Sequence, residues 1–333
     1  MTRGTRKRLL WCVLLLGCLL LAWRSAESIG DAYPSVSLRL GTPLTAAQAQ
    51  EVNALLDGDA AQYSVTCWWE EDGSAETAYA ACSALALRYS GTLGDIQRFT
   101  FVDGGEPGAL EVQAGMVSKA LALTLWGSAD VVGQEFLWNG ETWTVSGVFR
   151  SEEALLCLPS ETAAGATCLE LTGDIEDDPV GAANDFMALA GLDGWAGTVY
   201  GPQMAALLRL LNWVPVAVCG IWCLLALKRR YPIGRLALRR GLFWGLVLLA
   251  AVLVPIGMGQ LPGWLTPPRW SDFGFWYRLW VAAGERLEDW FRIIPRAKDV
   301  SAKQTLLCWA VGWGGSLLCW SECRYLAAGA ERK

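Results

Sequence analysis

The sequence predicts an α+β extracytoplasmic domain inserted after the first of four transmembrane α-helices. Three observations support this prediction: four apolar runs, a long acidic segment between the first and second of them, and strand and helix patterns within that segment. Of the 333 residues, 53% are hydrophobic and only 18% are charged. This composition is typical of a protein that is partly embedded in a membrane and partly globular.

The apolar runs and the basic residues define the predicted topology. The loop between the second and third runs carries six basic residues and no acid, which favours the cytoplasm. The first run is short enough for a signal peptide, but an uncleaved anchor is the favoured interpretation. We therefore expect a multi-pass protein of the cell membrane with both termini in the cytoplasm. The predicted segments are a cytoplasmic N-terminus (1–8), helix 1 (9–29), the outer domain (30–203), helix 2 (204–227), a basic cytoplasmic loop (228–240), helix 3 (241–259), an outer loop (260–303), helix 4 (304–322) and a cytoplasmic tail (323–333).

The outer segment is strongly acidic. Residues 31–200 contain 25 Asp and Glu against five Lys and Arg, although the formal charge of the whole chain is only −6. Nucleic-acid binding is excluded as a sensible function, because phosphate neutralisation requires basic side chains. Attraction of cationic peptides or divalent ions is one reading of this charge, and solvation of an outward-facing domain is the favoured one.

Local patterns within the outer segment predict its elements. The pair Asn139-Gly140 tolerates the positive φ angles of a type I′ turn and predicts a tight hairpin. The expected order implies an α+β domain and allows two subdomains, one holding the first and last strands and the other the hairpin. The predicted strands are 35–40, 61–69, 78–89, 134–138, 141–149, 154–158, 167–171 and 197–200, and the predicted helices are 45–56, 116–125 and 179–190.

The stretch from Met116 to Arg150 places a helix, a glycine stop at Gly127, a second glycine turn at Gly133 and the Asn139-Gly140 hairpin in this order. In this it is similar to a pattern in MacB-like ABC transporter permeases of the FtsX/MacB type. The resemblance runs through a helix, a glycine stop, a second glycine turn and the hairpin, and Trp126 stands where the family usually has Phe. The residues that carry it are Leu125, Trp126, Gly127, Gly133, Asn139, Gly140 and Gly147. It implies an extracytoplasmic MacB-like core domain, a separate ATPase subunit as partner, and a homodimer or heterodimer of permease subunits.

Groups that would support catalysis or cofactor binding are not evident. Histidine is absent, which removes the commonest general base and the commonest zinc ligand, and there is no phosphate-binding loop. The acidic triplets 70–72 and 176–178 lack the ligand spacing of a calcium loop and are interpreted as surface turns. We therefore predict no enzyme activity, no catalytic or metal-binding residues, and no cofactor.

The cysteines of the outer segment leave two interpretations open. Cys67 and Cys82 lie in consecutive predicted strands, as do Cys157 and Cys168, so these are the favoured pairs if disulfides form. Four free, buried thiols are an equally acceptable interpretation.

The basic loop 228–240 is the candidate site for coupling to an ATPase. In the resembled permeases a short helix at this place docks on the ATPase, and Ile233, Gly234, Arg235 and Leu236 correspond to it. Pro232 stands where the family pattern has Glu, and the next glycine comes one residue late. The alternative is a loop that only fixes topology and binds anionic membrane lipid.

The pattern of apolar residues in the outer loop 260–303 predicts an amphipathic, Trp-rich helix from Asp272 to Pro295. Its apolar residues recur at spacings of three, four and seven, so they form one stripe. The helix is predicted either to lie on the outer leaflet or to pack its apolar face on the domain or on other helices.

Two functions fit the sequence. The first is a permease-like membrane subunit of an ABC transporter, which couples a separate ATPase to movements of the outer domain during export or mechanotransmission. The second is a non-transporting, membrane-anchored regulatory or binding protein that uses the acidic outer domain.

Overall fold

A computed structural model describes residues 3–56, 63–108, 111, 113–173, 175, 178–192, 195–230, 244, 263–267, 269 and 271–331. The chain divides into two compact units. The outer-domain unit consists of Asp31–Pro202 and Glu285–Lys298. The helical unit consists of Met1–Gly30, Gln203–Gly284 and Asp299–Lys333.

The described residues of the outer-domain unit form one mixed sheet flanked by helices. Its strand order is β10-β1-β9-β2-β3-β8-β5-β7-β4, and β6 pairs with β2 and β7. The strands are β1 (Val36–Leu40), β2 (Tyr63–Glu76), β3 (Ala81–Ser90), β4 (Phe101–Gly104), β5 (Ala114–Ser118), β6 (Glu135–Trp138), β7 (Glu141–Phe149), β8 (Leu155–Pro159), β9 (Cys168–Gly173) and β10 (Trp195–Tyr200). The helices are α2 (Ala46–Leu56), α3 (Leu93–Ile96), α4 (Lys119–Trp126) and α5 (Pro179–Leu189).

The sheet has two halves with separate cores. At one end, β1 lies between β9 and β10 and packs with α2 and α5 around Leu38, Val52 and Phe186. Toward the other end, the β6–β7 hairpin and α4 enclose Leu121, Phe136 and other buried apolar residues. The predicted grouping of the first and last strands apart from the hairpin is thus correct, but the two groups share one continuous sheet through the long strands β2 and β3.

Two local predictions are wrong. Met116 and Val117 belong to strand β5 and not to the following helix, which begins after Ser118, where the side chain accepts the Leu121 amide as an N-cap. The triplet 70–72 is not a surface turn, because it continues β2, where each residue pairs with β3. Acidic residues are poor strand formers in isolation, and pairing with neighbouring strands overrides that preference.

The central hairpin forms as predicted. Asn139 has φ of 49° and Gly140 has φ of 88°, the left-handed values that a type I′ turn requires. The Asn139 side chain adds a lateral contact, because its Nδ2 donates to Glu71 Oε1 at 3.0 Å.

The four cysteines of the outer domain are free thiols. Of the two interpretations left open by the sequence, free thiols apply, and a Cys67–Cys82 bridge is ruled out because the β2–β3 register pairs Cys67 with Ser90 and Cys82 with Ala75. The Cys157–Cys168 bridge is absent as well, and both thiols are packed in the apolar cluster that contains Trp68. Burial raises the pKa of the Cys67 thiol to about 12, so this side chain stays protonated and behaves as a small apolar group.

The helical unit contains α1 (Arg3–Ala32), α6 (Gly201–Arg230, from Gln203) and α8 (Ala297–Glu331, from Asp299). Within the described residues, two segments are long and apolar enough to cross a membrane, Leu9–Ala32 and Gly201–Trp222. The predicted third helix, 241–259, lies outside the described residues except for Trp244, as does the loop segment 231–240. The predicted fourth helix, 304–322, is helical as part of α8. Its Trp, Gly and Ser residues lower its mean hydropathy.

Contacts between helices of this unit are close and partly polar. Trp309 Nε1 of α8 donates to Asn212 Oδ1 of α6 at 2.9 Å, and Trp313 Nε1 donates to the Leu211 carbonyl at 2.8 Å. A Cβ at Gly312 would lie 2.8 Å from the Ala22 nitrogen of α1, so only glycine allows α8 to approach α1 this closely.

The outer loop contains the predicted amphipathic helix, α7 (Phe275–Arg292). Its last part, from Glu285, belongs to the outer-domain unit together with the short connection to α8.

Candidate functional site

Within the outer-domain unit, the segment 285–298 is joined to the segment 31–202 by a set of buried contacts that we call the Lys298 network. We define it as Lys298, Glu170, Trp68, Tyr33, Ser35 and Ser37. All six side chains are buried.

Strand alternation creates the pocket for this network. Successive residues of β1 and β9 point to opposite faces, so Leu38 and Leu169 enter the apolar core while Ser37 and Glu170 point to the other face. Ser37 lies directly opposite Glu170 in the β1–β9 pairing. Polar side chains on this second face are buried nevertheless, which means that they require partners from elsewhere in the chain.

An ion pair between Lys298 and Glu170 provides the central contact. Lys298 Nζ lies 2.7 Å from Glu170 Oε1, and the two side chains are only 3% and 0% exposed. Lys298 Nζ also donates to the Ile96 carbonyl at 2.8 Å, and it lies 4.9 Å from the ring centre of Tyr33 and 5.0 Å from that of Trp68. The ammonium group therefore exchanges water for a carboxylate, a carbonyl and two aromatic faces.

Glu170 is the acceptor at the centre of the network. Its carboxylate accepts from Ser37 Oγ and Trp68 Nε1, each at 2.7 Å, and from Ser35 Oγ at 2.5 Å. With Lys298 this gives four donors from three different segments of the chain. A buried charge that is both paired and saturated with hydrogen bonds is stable, whereas the same charge without its partner is costly.

The carboxyl group of Asp95 lies beside the network, and its surroundings disfavour the ionised form. Asp95 accepts a hydrogen bond from Thr66 Oγ1 at 2.9 Å, but burial and the neighbouring charge of Glu170 outweigh this and raise the pKa of Asp95. The ionised form of Asp95 therefore opposes folding at neutral pH.

The first turn of α8 is fixed by strand β2 as well. The Ala297 amide donates to Glu70 Oε1 at 2.8 Å, and Arg296 lies within 3.7 Å of the same carboxylate. An acidic side chain at a helix N-terminus is favourable because it meets unpaired amides and the positive end of the helix dipole. Glu70, interpreted from the sequence as part of a surface turn, is thus an N-terminal partner of α8.

Helix α7 enters the same unit through Trp290. This side chain is 2% exposed, its Nε1 donates to Tyr33 Oη at 3.2 Å, and the two rings meet edge to face at 5.9 Å. Beside it, a cavity of about 490 Å³ is lined by residues of β10 and α7, among them Thr198, Tyr200, Arg286 and Asp289. The Arg286 guanidinium lies over the Tyr200 ring at 4.9 Å.

Helix α8 thus begins within the outer-domain unit and continues through the helical unit. Ala297 and Lys298 make the contacts described above, and Asp299 onward belongs to the helical unit.

The residues of the family resemblance lie at the other end of the sheet. Leu125 is buried, Trp126 meets Phe136 edge to face at 6.3 Å, and Gly127 and Gly133 have φ of 71° and 83°. A Cβ at Gly147 would lie 2.5 Å from the Gly105 carbonyl oxygen. Ile233, Gly234, Arg235 and Leu236 lie outside the described residues.

Sequence reasoning did not find the Lys298 network. Its best signal is Glu170 in Cys168-Leu169-Glu170-Leu171, an acid on the alternate face of an otherwise apolar strand. Its partner Lys298 lies 128 residues later, near the end of the predicted outer loop. No sequence pattern around Lys298 indicates a buried contact.

No protein-family model and no curated protein matches the chain. Among solved structures, the chain is similar to the extracellular domain of the noncanonic ABC-type transporter YknZ from Gram-positive bacteria, with 14% identity and a TM-score of 0.38 over 47% of this chain and 96% of that one. It is also similar to the periplasmic region of MacB from Actinobacillus actinomycetemcomitans, with 13% identity and a TM-score of 0.43 over 54% of this chain and 94% of that one.

Proposed function

We propose that this chain is a permease-like subunit of an ABC transporter, in which α8 couples a separate cytoplasmic ATPase to movements of the outer domain. The observation that carries the proposal is the buried Lys298–Glu170 ion pair in the first turn of a helix that also packs tightly in the helical unit. The sequence resemblance to MacB-like permeases is the reason for proposing an ABC transporter subunit.

In this account the ATPase acts on the basic loop 228–240, with Ile233, Gly234, Arg235 and Leu236 as the coupling residues and the apolar Ile233 and Leu236 as the ones that dock into the ATPase. The resulting displacement passes through helices to α8. Gly312 and Trp309 keep α8 in register with α1 and α6, and Lys298 and the Glu70 cap fix its first turn to the sheet. Two permease subunits, homomeric or heteromeric, would assemble with the ATPase in the cell membrane and contact its lipids.

The docking step is tested by Ile233→Asp with Leu236→Asp. The matched control is Arg239→Ala with Arg240→Ala, which lowers the charge of the same loop by the same two units but retains its apolar residues. We expect only the first variant to lose co-purification with the ATPase. Equal loss in both variants would indicate that the loop acts through charge alone.

The transmission step is tested by hydrogen exchange of the complete complex in lipid nanodiscs, with and without ATP. In the wild type we expect ATP to change the exchange of β9 amides, 168–173. Lys298→Met with Glu170→Gln should abolish that change while the ATPase remains bound. The control is Arg292→Gln with Glu288→Gln, which removes an exposed ion pair on α7. An unchanged ATP response in the Lys298 and Glu170 variant would favour the alternative of a membrane-anchored regulatory or binding protein.

A further inference from the structure

Helices α1 and α8 of the helical unit run antiparallel and bring cysteine side chains together in two layers. In one layer, which we call the terminal pair, the sulfurs of Cys12 and Cys323 lie 3.9 Å apart. In the other layer, which we call the central pair, Cys18 and Cys319 are hydrogen-bonded through their side chains. A Cβ at Gly315 would lie 3.0 Å from the Cys18 sulfur, so glycine at this position lets the two helices approach closely.

The spacing of the two pairs favours chemistry between two sulfurs over a metal site made of four. Cys12 and Cys18 are six residues apart, which is about 9 Å along a helix that rises about 1.5 Å per residue. This separation is too large for four sulfurs around one zinc ion, each at about 2.3 Å from the metal. The sulfurs of the terminal pair, in contrast, need only approach from 3.9 Å to about 2.05 Å to form a disulfide.

The terminal pair is the more reactive of the two because it lies close to water. Cys12 is exposed and is the fourth residue of the apolar span that begins at Leu9, whereas Cys18 is the tenth. Exposed charged residues lie near the terminal pair along both helices: Arg6, Lys7, Glu322 and Arg324. The thiolate is the reacting form of cysteine, and apolar surroundings disfavour it. Cys12 is therefore suited to react first, and the buried Cys323 is placed to attack its sulfur afterwards.

We propose that Cys12 and Cys323 are a site of reversible oxidation, at which hydrogen peroxide converts the two thiols into a disulfide between α1 and α8. The Cys12 thiolate attacks one peroxide oxygen, so that a sulfur–oxygen bond forms, the oxygen–oxygen bond breaks and hydroxide leaves. The Cys323 thiolate then attacks the Cys12 sulfur, a sulfur–sulfur bond forms and a second hydroxide leaves. The two thiol protons neutralise the two hydroxides. One peroxide thus becomes two water molecules as the sulfurs lose two electrons.

This modification goes beyond the coupling function, because the bond forms or fails to form whatever the chain transports. It joins residues that are 311 positions apart in the sequence. The two helices are then held together at the end where both chain termini lie. A dithiol reductant reverses the bond by thiol–disulfide exchange.

The test uses the full chain in phosphatidylcholine nanodiscs, which is reduced, exposed briefly to hydrogen peroxide and then blocked with N-ethylmaleimide. Two matched variants each retain one pair. The combination Cys18→Ser, Cys308→Ser and Cys319→Ser retains the terminal pair, and the combination Cys12→Ser, Cys308→Ser and Cys323→Ser retains the central pair. Trypsin releases the peptides 9–24 and 304–324, and mass spectrometry measures the fraction that is linked.

We expect the linked fraction to be about tenfold higher with the terminal pair than with the central pair, because thiolate character and exposure govern oxidation by peroxide. Dithiothreitol should remove the link. The wild type gives a check that does not depend on the folding of the variants, since fragmentation of its linked peptides should locate the bond at positions 12 and 323.

Three results would overturn the proposal. The first is an absence of linked peptide in the variant that retains the terminal pair, whether or not dimedone detects a sulfenic acid at Cys12. The second is an equal linked fraction in the two variants. The third is a bond in the wild type from Cys323 to Cys219 of α6, a thiol close enough to interact with Cys323 electrostatically, in place of the bond to Cys12.

Discussion

The two halves of the outer sheet are stabilised in different ways. The hairpin half, around β6, β7 and α4, is an apolar core with sharp turns at glycine, and it carries the family resemblance. The half around β1, β9 and β10 has an apolar core on one face and, on the other, the buried charges of the Lys298 network. Recognisable sequence pattern and candidate function thus lie in different halves of the same sheet.

This difference has a physical reason. A hairpin and its glycines are determined by neighbours in the sequence, so they leave a motif that can be recognised. The Lys298 network brings together side chains from four distant segments, and each of them is unremarkable in its own segment. Buried charge is also a poor source of net stability compared with apolar packing, so the two halves differ in what holds them together.

The largest expected effect on stability is in the half of the sheet that contains the Lys298 network. Lys298→Met should leave the Glu170 carboxylate buried without its counter-ion, at a cost of about 3–5 kcal/mol. Hydrogen exchange of β9 core amides in the full chain measures this free energy of opening. Adding Glu170→Gln should recover part of the loss, because a neutral amide at position 170 requires no counter-ion.

The control for this prediction is Arg292→Gln with Glu288→Gln. This pair is exposed, so its removal should change the stability of β9 very little. If the Lys298→Met single variant were as stable as this control, the ion pair would not be buried as described.

A smaller effect is expected in the hairpin half. Gly140→Val should destabilise β6 and β7 by about 1 kcal/mol or more, because a β-branched residue is strained at the observed φ of 88°. No atom outside the immediate chain lies near a Cβ at this position, so the effect isolates backbone strain from steric overlap. Hydrogen exchange should show the loss in 135–149, and an unaltered exchange rate there would contradict the turn type.

The smallest expected effect concerns pH. Because the pKa of Asp95 is raised in the folded state, ionisation of Asp95 weakens the fold as pH rises above 3.8, and this cost is complete above the folded pKa. Asp95→Asn should remove the cost while its Oδ1 still accepts from Thr66. The variant should gain stability over the wild type at pH 7 and lose that advantage in acid. A difference that does not depend on pH would contradict this account.

The sequence was sufficient for the parts that depend on local patterns. The Asn139-Gly140 turn and the amphipathic α7 follow from neighbouring residues. Met116 and Val117 were misassigned because their apolar character suits a helix face and a buried strand equally well. Their true state depends on pairing with β7 and β8, which local pattern does not contain.

The candidate site could not be predicted because it depends on register and on distant segments. The cysteines illustrate the dependence on register. Cys67 and Cys82 lie in consecutive strands as expected, but the antiparallel register of those strands determines which residues face each other. Lys298 and Glu170 meet only after the sheet has formed and the outer loop has returned to it. The alternate face of β9 indicates that Glu170 needs a partner, and the three-dimensional structure is required to identify Lys298.

The proposed function requires α8 to couple the ATPase to strand β9, and interrupting the helix tests this requirement most directly. Lys303→Gly with Gln304→Pro should kink α8 beyond its first turns, whereas Lys303→Ala with Gln304→Ala removes the same side chains and preserves the helix. In the complete complex, we predict that ATP changes the hydrogen exchange of 168–173 in the alanine variant as in the wild type. In the proline variant the ATPase should still bind, but this change should be lost. A wild-type ATP response in the proline variant would contradict the account.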